Sequence, residues 1–469
     1  MKILFLIPAP KKNMNYVLSP DIALGYLATA VRKQGHQPII LHMEADKVPY
    51  SKLITKIKLI KPDIIGLRVF SRDITDCNYC ISLIREVLKN IYIVIGGPHP
   101  TMAPSQDLFD TMPSIDYGFK GEAEKGLPLL LDLIKNNQNK PNNLATIPGL
   151  IYHNSKNKIS TNKQYFEPNL DQLGIPAWDL INFKKYSSFT FWAKPGKTAP
   201  ILLTRGCPYS CEFCAVHLLA GKKIRKRSIA HVISEIELLH YKYNITNFDI
   251  IDDNLTADTN YAKEFCKEII KRKININWAC PCGIRLDAIN IPLIKLMEQS
   301  GCYSISLGIE SGSDKTLKNM NKGITTLIIK EKIAIISKNT NIILHGHFIL
   351  GYPEETEADI KKTSNISQEL PLSSASFYTF FPIPATPVYN KLIEKGIINK
   401  NDFQWNSLQQ YHNISINKIS QKLLKKTQLR TYIKFYSRPK ILFKYLLSLR
   451  HKHQLKWVIG VIRNQLTKK

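Results

Sequence analysis

Acidic residues are scarce in this chain. Asp and Glu number 37 against 65 Lys and Arg in 469 residues, a formal net charge of +28. The deficit favours acidic partners: nucleic acid, an anionic membrane surface or phosphorylated ligands. A share of it is compositional, because the chain is also rich in Asn and Ile. Cysteine is scarce too; nine residues are too few for a disulfide framework. With 22 Gly and 26 Pro, collagen-like and low-complexity architectures are excluded. No apolar run reaches the ~18 residues of a spanning helix. The opening MKILFLIPAPKK is broken by Pro8 and Pro10, and no small-residue cleavage site follows it. A soluble or peripheral cytoplasmic protein is expected, whose reduced thiols are open to metals.

Apolar residues make up 44% of the chain and charged residues 22%, the balance of a globular protein of two or three domains. Residues 1–135 alternate strands with helical patterns. KILFLI (2–7), QPIILH (37–42), DIIGLRVF (63–70), IYIVIG (91–96) and IDYGF (115–119) read as strands. Between the first two, Leu24, Leu27, Ala28 and Val31 recur at helical spacing and Gly35 stops the helix. This predicts an α/β domain, a doubly wound Rossmann-like sheet that binds ligands at the carboxyl ends of its strands.

NNQNKPNN (136–143) opens a linker expected to run to 195. Residues 196–400 carry six strand candidates at βα spacing: ILLT (201–204), FDII (248–251), INWAC (276–280), YSISLGI (303–309), IILHGHFIL (342–350) and SFYTFF (376–381). They predict a partial (β/α)6 barrel with its function at the strands' C-terminal ends. Residues 401–469 are expected to form a short helical segment; 411–469 hold fifteen Lys or Arg and no Asp or Glu. It reads either as a helical cap with a solvated basic face or as an amphipathic helix for anionic lipid.

The chemistry concentrates in TRGCPYSCEFCA (204–215). Cys207, Cys211 and Cys214 form C-x3-C-x2-C directly after a predicted strand. Thiolates suit iron–sulfur clusters or zinc. A closed zinc site needs four ligands, and the nearest fourth candidate is His217. Three thiolates on a four-iron cluster leave one iron open, the position chemistry requires. Zinc, or three core cysteines, are the plainer alternatives. Cys77, Cys80 and Cys266 read as buried core thiols, and Cys280 and Cys282 lack partners for a second cluster.

The C-x3-C-x-aromatic-C pattern, with Phe213 as the aromatic, resembles the radical SAM superfamily. The resemblance implies a [4Fe-4S] cluster on the three cysteines and S-adenosylmethionine (SAM) on the fourth iron. It further implies reductive cleavage to a 5′-deoxyadenosyl radical. Other positions fall in register with that family. IIDDNLT (250–256) stands where members carry a Gly-Gly-Glu turn, so Asp252 and Asp253 are implied acceptors for the SAM ammonium. An N-cap before the next helix is the other reading. Arg285 in GIRLD is the implied partner of the SAM carboxylate, and Glu310 of its ribose or amine. HFILGYPEET (347–356) is similar to the family's G-x-I-x-G-x-x-E, with His347 replacing the first Gly. It implies Ile349 against adenine, Gly351 for close passage of the chain, and Glu354 in register. FPIPATPVY (381–389) resembles the sixth-strand exit.

In order and spacing, PDIIGLRVFSRD, VIGGPHPT, GFKGEAEKG and IPAWDL resemble blocks of the cobalamin-binding radical SAM proteins, over nearly the whole chain. The resemblance implies a corrinoid between the strand ends of the first domain and the barrel mouth. The matching positions are Ser71, Arg72, Gly96, Gly97, Pro98, His99, Thr101, Gly121 and Glu122. Corrinoid proteins with a lower-axial histidine usually carry D-x-H-x-x-G after the first strand; PAPKKN stands there instead, and His99 is the alternative ligand.

The expected function is that of a cobalamin-dependent radical SAM methyltransferase acting on an unactivated carbon. The alternative is oxidative ring closure, as in the anaerobic magnesium-protoporphyrin monomethyl ester cyclases of similar architecture. Expected partners are a small-molecule or lipid substrate, a flavodoxin or ferredoxin as electron donor, and an anionic membrane at the basic tail. A nucleic-acid-binding protein is a competing reading of the charge; it leaves the cysteine triplet unexplained, so no nucleic-acid partner is expected. The residues do not name a group that acts on the substrate.

Overall fold

The computed structural model describes residues 1–10, 19–186, 188, 191–399, 405, 416 and 419–448. The PAPKKN run past Pro10 and the basic stretch beyond 448 lie outside them. The first sheet has seven strands: β1 (Lys2–Ile7), β2 (Gln37–His42), β3 (Ile64–Arg68), β4 (Tyr92–Gly96), β5 (Tyr117–Phe119), β6 (Leu150–His153) and β7 (Ile159–Thr161). Their order is β2-β1-β3-β4-β5-β6-β7. The first five run parallel and the last two add antiparallel. The sheet therefore continues past residue 135, because the LIYHNSKNKIS hairpin pairs with β5 rather than standing apart in the linker.

Residues 3–7 of β1 are buried without alternation, as helices covering both faces of a parallel sheet require. The helix Ile22–Lys33 starts where Asp21 accepts a hydrogen bond from the Leu24 amide at 3.0 Å, and Arg68 pairs with the same carboxylate. Strand order reverses between β1 and β3, which makes their carboxyl ends the ligand crevice.

The barrel strands are β8 (Lys197–Ile201), β11 (Ile245–Ile250), β12 (Asn277–Ile284), β13 (Cys302–Glu310), β14 (Ile343–Leu350) and β15 (Ser374–Thr379); a small ribbon, β9 (Thr204–Arg205) with β10 (Arg225–Lys226), lies between the first two. All six are parallel, in the order β15-β14-β13-β12-β11-β8, so β8 and β15 are edges of an open barrel. Outward residues such as Ile305, Leu307, Phe348 and Phe377 pack against the helices in one core. The linker is stapled to the barrel by Trp178, whose indole N–H donates to Glu235 at 2.8 Å. Glu235 in turn pairs with Arg227 at 2.5 Å, both side chains fully buried.

The C-terminal segment forms two helices, Gln421–Tyr436 and Pro439–Ser448. The first seals the edge of β15. Gln428 donates to the Phe377 carbonyl at 2.7 Å, Tyr432 accepts from the Phe377 amide at 3.0 Å, and Tyr436 accepts from the Ala375 amide at 3.2 Å. Spacing of four residues places these side chains in one stripe, and they cover backbone groups that an edge strand otherwise leaves open.

Candidate active site

The cysteine loop leaves β9 and is pinned at each step. Gly206 has φ +94°, and a Cβ there would lie 2.4 Å from the Lys223 carbonyl oxygen, so the turn demands glycine. The Cys207 amide donates to the Gly221 carbonyl and the Cys214 amide to that of Cys211. All three thiols are free and partly exposed. Burial raises the Cys211 thiol above its ordinary value and lifts Cys214 to about 11; the neighbouring thiols of the triplet add to both. His217 is bonded through Nε2 to the Tyr209 carbonyl inside the loop, so it is not poised as a fourth ligand. Among the described residues no three His, Cys, Asp or Glu side chains converge on a single ion. Three thiols carried on one short loop are soft ligands of the kind an iron–sulfur cluster takes.

The two aspartates after β11 have different surroundings. Asp252 is buried and accepts from the Leu203 amide at 2.7 Å and the Thr204 hydroxyl at 2.8 Å, one bond to each oxygen. Burial pushes its carboxyl up to about 7. It anchors the approach to the cysteine loop. Asp253 accepts from the Gly206 amide at 3.0 Å through Oδ2. The N-cap of the following helix is neither of them but Asp258, which accepts from the Asn260 and Tyr261 amides. Asn254 is buried, and its Nδ2 has no hydrogen-bond partner.

Arg285 reaches the same loop from β12. Its guanidinium lies 3.7 Å from the centroid of the Tyr209 ring. Nε and Nη2 bind Asp287 at 2.9 and 3.0 Å, and Nη2 also donates to the Lys322 carbonyl at 2.7 Å. Glu310 ends β13 at φ +63° and pairs with Lys322 at 2.8 Å, both side chains close to buried. Burial opposes the ammonium of Lys322, but Glu310 and then Cys211 more than offset it and hold it above its ordinary range. Sequence reasoning missed this segment. Asn321 donates to the Ser210 carbonyl at 2.9 Å, and the Met320 carbonyl accepts from the Glu212 amide. The signal was MNKG (320–323), a lysine bracketed by Asn and Gly, both at positive φ.

At the end of β14, Gly351 takes φ +80° and its amide donates to Glu355 at 2.7 Å, with the Tyr352 amide at 3.0 Å on the same oxygen. Glu355, raised to about 7 by burial, is the inward carboxylate. Glu354, expected in register, points outward to Lys395. The reason is its positive φ, +66°, which turns the chain by one residue. Phe213 and Ile349 pack on one apolar cluster that also includes Leu4 and Leu67 of the first sheet and Tyr352 and Val388 of the barrel. The FPIPATPVY exit returns to the cysteine loop, where the Val388 amide donates to the Glu212 carbonyl. Inside the barrel, His345 bonds Ser374 and Ser376 at 2.7 and 3.0 Å, and His347 stacks on Tyr378.

The first-domain loops divide into a wall and a clamp. A Cβ on Gly96 would meet nothing within 4 Å, so space is open at the end of β4. Gly97 has φ +107° with the Val69 carbonyl close by, and Pro98 then opens the helix Pro98–Met102. His99 on that helix is fully buried. Its Nδ1 lies 3.2 Å from the Ser71 hydroxyl, its Nε2 has no partner, and burial lowers its pKa to about 4. The indole of Trp405 meets its ring edge-on. Thr101 donates to the Gly97 carbonyl and accepts from the Gly121 amide, tying the loops together. Arg72, about half exposed, leans on Asp73 and Phe70. Glu122, expected beside the corrinoid, is committed elsewhere: it binds Arg225 and Arg205 of the barrel, and Glu124 binds Arg205 at 2.7 Å. Burial works to lower the Arg205 guanidinium, and the two glutamates override it. Sequence reasoning missed the basic half of this clamp: Arg205 stands in the cysteine block with no role read for it, and Arg225 stands in no motif. The helix Pro98–Met102 lies against Val216–Ala220, immediately after the cysteines. An open strand end beside a buried, unpartnered imidazole nitrogen fits a flat ligand held between the two domains.

Comparison with known proteins agrees with this anatomy. Residues 201–365 match the family model of the radical SAM superfamily, and residues 16–131 match that of the B12 binding domain. The chain is 28% identical over 450 residues to an uncharacterized methyltransferase of Pyrococcus horikoshii, PH0819, covering 95% of this chain and 94% of that one. It is 25% identical to the cytidylyl-2-hydroxyethylphosphonate methyltransferase of Streptomyces wedmorensis, over 81% and 79% of the two chains. Its fold is similar to the radical SAM methyltransferase TsrM of Kitasatospora setae, with a TM-score of 0.69 at 20% identity, covering 84% of this chain and 78% of that one.

Fold, cysteine loop and family match together define a radical SAM enzyme. The B12-binding match lies ahead of the radical SAM match, in the order of the two domains described above. The chain's cofactors are accordingly a [4Fe-4S] cluster, SAM and cobalamin.

Proposed function

We propose that this chain is a cobalamin-dependent radical SAM methyltransferase whose substrate carbon is unactivated. The observation that carries the reading is the clamp of Glu122 and Glu124 on Arg205 and Arg225, which locks the first-domain loops over the cysteine loop. When bound, the cofactors supply one-electron cleavage of the SAM sulfonium, a carbon radical that takes hydrogen from substrate, and a carrier for the methyl group.

The chain's residues divide the remaining work. Cys207, Cys211 and Cys214 hold the cluster. Asp253 offers its oxygen not engaged by Gly206 to the SAM ammonium. Arg285, oriented by Asp287 and Tyr209, directs the rest of its fork at the SAM carboxylate. Lys322 places a fixed positive charge beside Cys211, and Glu310 orients that charge. Phe213 and Ile349 exclude water from the adenosyl side. Gly96, Gly97 and His99 form the wall of the corrinoid space. His345, His347 and Tyr378 line the barrel interior, where the substrate is held. An acidic electron-transfer protein of the flavodoxin or ferredoxin kind suits the +28 charge, and the cytoplasm keeps the thiols reduced.

The test is anaerobic reconstitution followed by iron, sulfide and cobalt analysis and incubation with methyl-labelled SAM. We expect bound cobalt, 5′-deoxyadenosine, and S-adenosylhomocysteine as the trace of methyl donation. A Cys207→Ala, Cys211→Ala, Cys214→Ala variant should lose the cluster and deoxyadenosine release. Deoxyadenosine without S-adenosylhomocysteine would point to ring closure or oxidation instead. A wild-type preparation without iron or cobalt would end the reading.

A further inference from the structure

The helix Gln421–Tyr436 has two faces with different tasks. Its inner stripe, Gln428, Tyr432 and Tyr436, seals the edge of β15. Nothing in that role requires the composition of the outer stripe. There Lys422, Lys425, Lys426, Arg430 and Lys434 are exposed, and between them Leu429 and Ile433 stand one turn apart, each more than half exposed. The next helix, Pro439–Ser448, exposes Lys440, Leu442 and Phe443, the last two also by more than half. Four large apolar side chains within fifteen positions face solvent, and neither helix contains an acidic residue.

Single exposed apolar residues are ordinary on a soluble protein, but four within fifteen positions set among cations form a patch, and a surface for nucleic acid has little use for leucine, isoleucine and phenylalanine between its cations. Aliphatic and aromatic tips rimmed by lysine are what an interfacial helix presents to lipid: the apolar tips enter the acyl boundary while the ammonium groups meet headgroup phosphates. No helix among the described residues is long and apolar enough to cross a membrane, so contact would be peripheral. We propose that the outer face of these two helices docks the enzyme on an anionic lipid bilayer, through Leu429, Ile433, Leu442 and Phe443 and the surrounding Lys and Arg. This proposal is independent of the reaction assigned above.

Full-length reconstituted protein is sedimented with vesicles of phosphatidylcholine alone and of equimolar phosphatidylcholine and phosphatidylglycerol. We expect binding to the anionic vesicles, weakened by salt, and little to the neutral ones. Leu429→Ser with Ile433→Ser should weaken it about ten-fold or more, as loss of two inserted aliphatic side chains predicts. Lys425→Glu with Lys426→Glu should also weaken it. All four residues are exposed, so the melting temperature and cluster absorbance should stay at wild-type values. If a double variant melts early, Phe443→Trp serves instead: its emission should shift to the blue on anionic vesicles and be quenched by brominated acyl chains. Equal binding to neutral vesicles, an unchanged Leu429→Ser, Ile433→Ser variant, or an unshifted emission spectrum from the Phe443→Trp protein would overturn the proposal. So would transfer RNA that binds as tightly as vesicles and ignores the serine substitutions; that result would reassign the face to nucleic acid.

Discussion

Glu122 grips the guanidinium of Arg225 through both carboxylate oxygens, at 2.5 and 2.8 Å, across 103 positions of chain and from one domain to the other. The same carboxylate meets Arg205 at 3.2 Å, at the root of the cysteine loop. These side chains are nearly buried, so removing one partner strands charge in a poor solvent. Glu122→Ala should destabilise the protein by about 3–5 kcal/mol, the cost of breaking a buried pair. Glu122→Met with Arg225→Met should recover much of it, because apolar replacement of both partners leaves less charge stranded. Denaturant unfolding of the three proteins decides the matter. A loss under about 1 kcal/mol in Glu122→Ala would mean that the domains are held by their shared apolar cluster alone.

Asp252 and Asp253 are adjacent but have separable tasks. Asp252 secures Leu203 and Thr204, upstream of the cysteines. Asp252→Ala should therefore lower iron content and SAM cleavage together. Asp253→Asn keeps an oxygen for the Gly206 amide but removes the negative charge offered to the SAM ammonium. It should retain full iron content and lose SAM affinity about 10–100-fold, the usual range for residues that orient or complete a metal site. Iron assays and SAM titration separate the two. Equal loss of iron in both variants would refute the division of labour.

The helical and strand periods, the cysteine triplet and the order of loops were legible in the sequence because each depends on local spacing. What the sequence concealed was commitment. Glu122 read as a ligand-facing residue of a glycine-rich loop, yet its partners lie about a hundred positions away, and no local pattern announces a bond across two domains. Arg285 was visible, but Asp287 and Tyr209, which orient it, were not. Glu354 and Glu355 are adjacent acids that only a backbone at positive φ can tell apart. Lys322 was overlooked because its role arises from Glu310 and Cys211, on two other elements. The tail read as cap or lipid helix; in its described part, the inner face caps β15 and the outer face is exposed.

His345 gives the fold a pH dependence whose sign can be worked out. Both ring nitrogens are bonded to serine hydroxyls, and burial drives its pKa from 6.5 down to about 3. The unfolded chain thus takes up this proton first. The contribution to stability is complete above 6.5 and is lost as pH falls from there toward 3, by at most about 1.4 kcal/mol per pH unit. His99, lowered to about 4, acts in the same direction. Asp252 and Glu355 act against them: raised to about 7, they retain protons that the unfolded chain gives up, and so add stability as pH falls from about 7 to about 4. The wild-type curve is a partial cancellation, so its own slope is uninformative and a difference is needed. His345→Gln keeps polar atoms for both serines and removes one titrating group. Relative to wild type, its melting temperature should rise between about pH 8 and about pH 5 at fixed cofactor loading. A gap that is the same at both pH values would show that His345 titrates in the folded protein as it does in the unfolded chain.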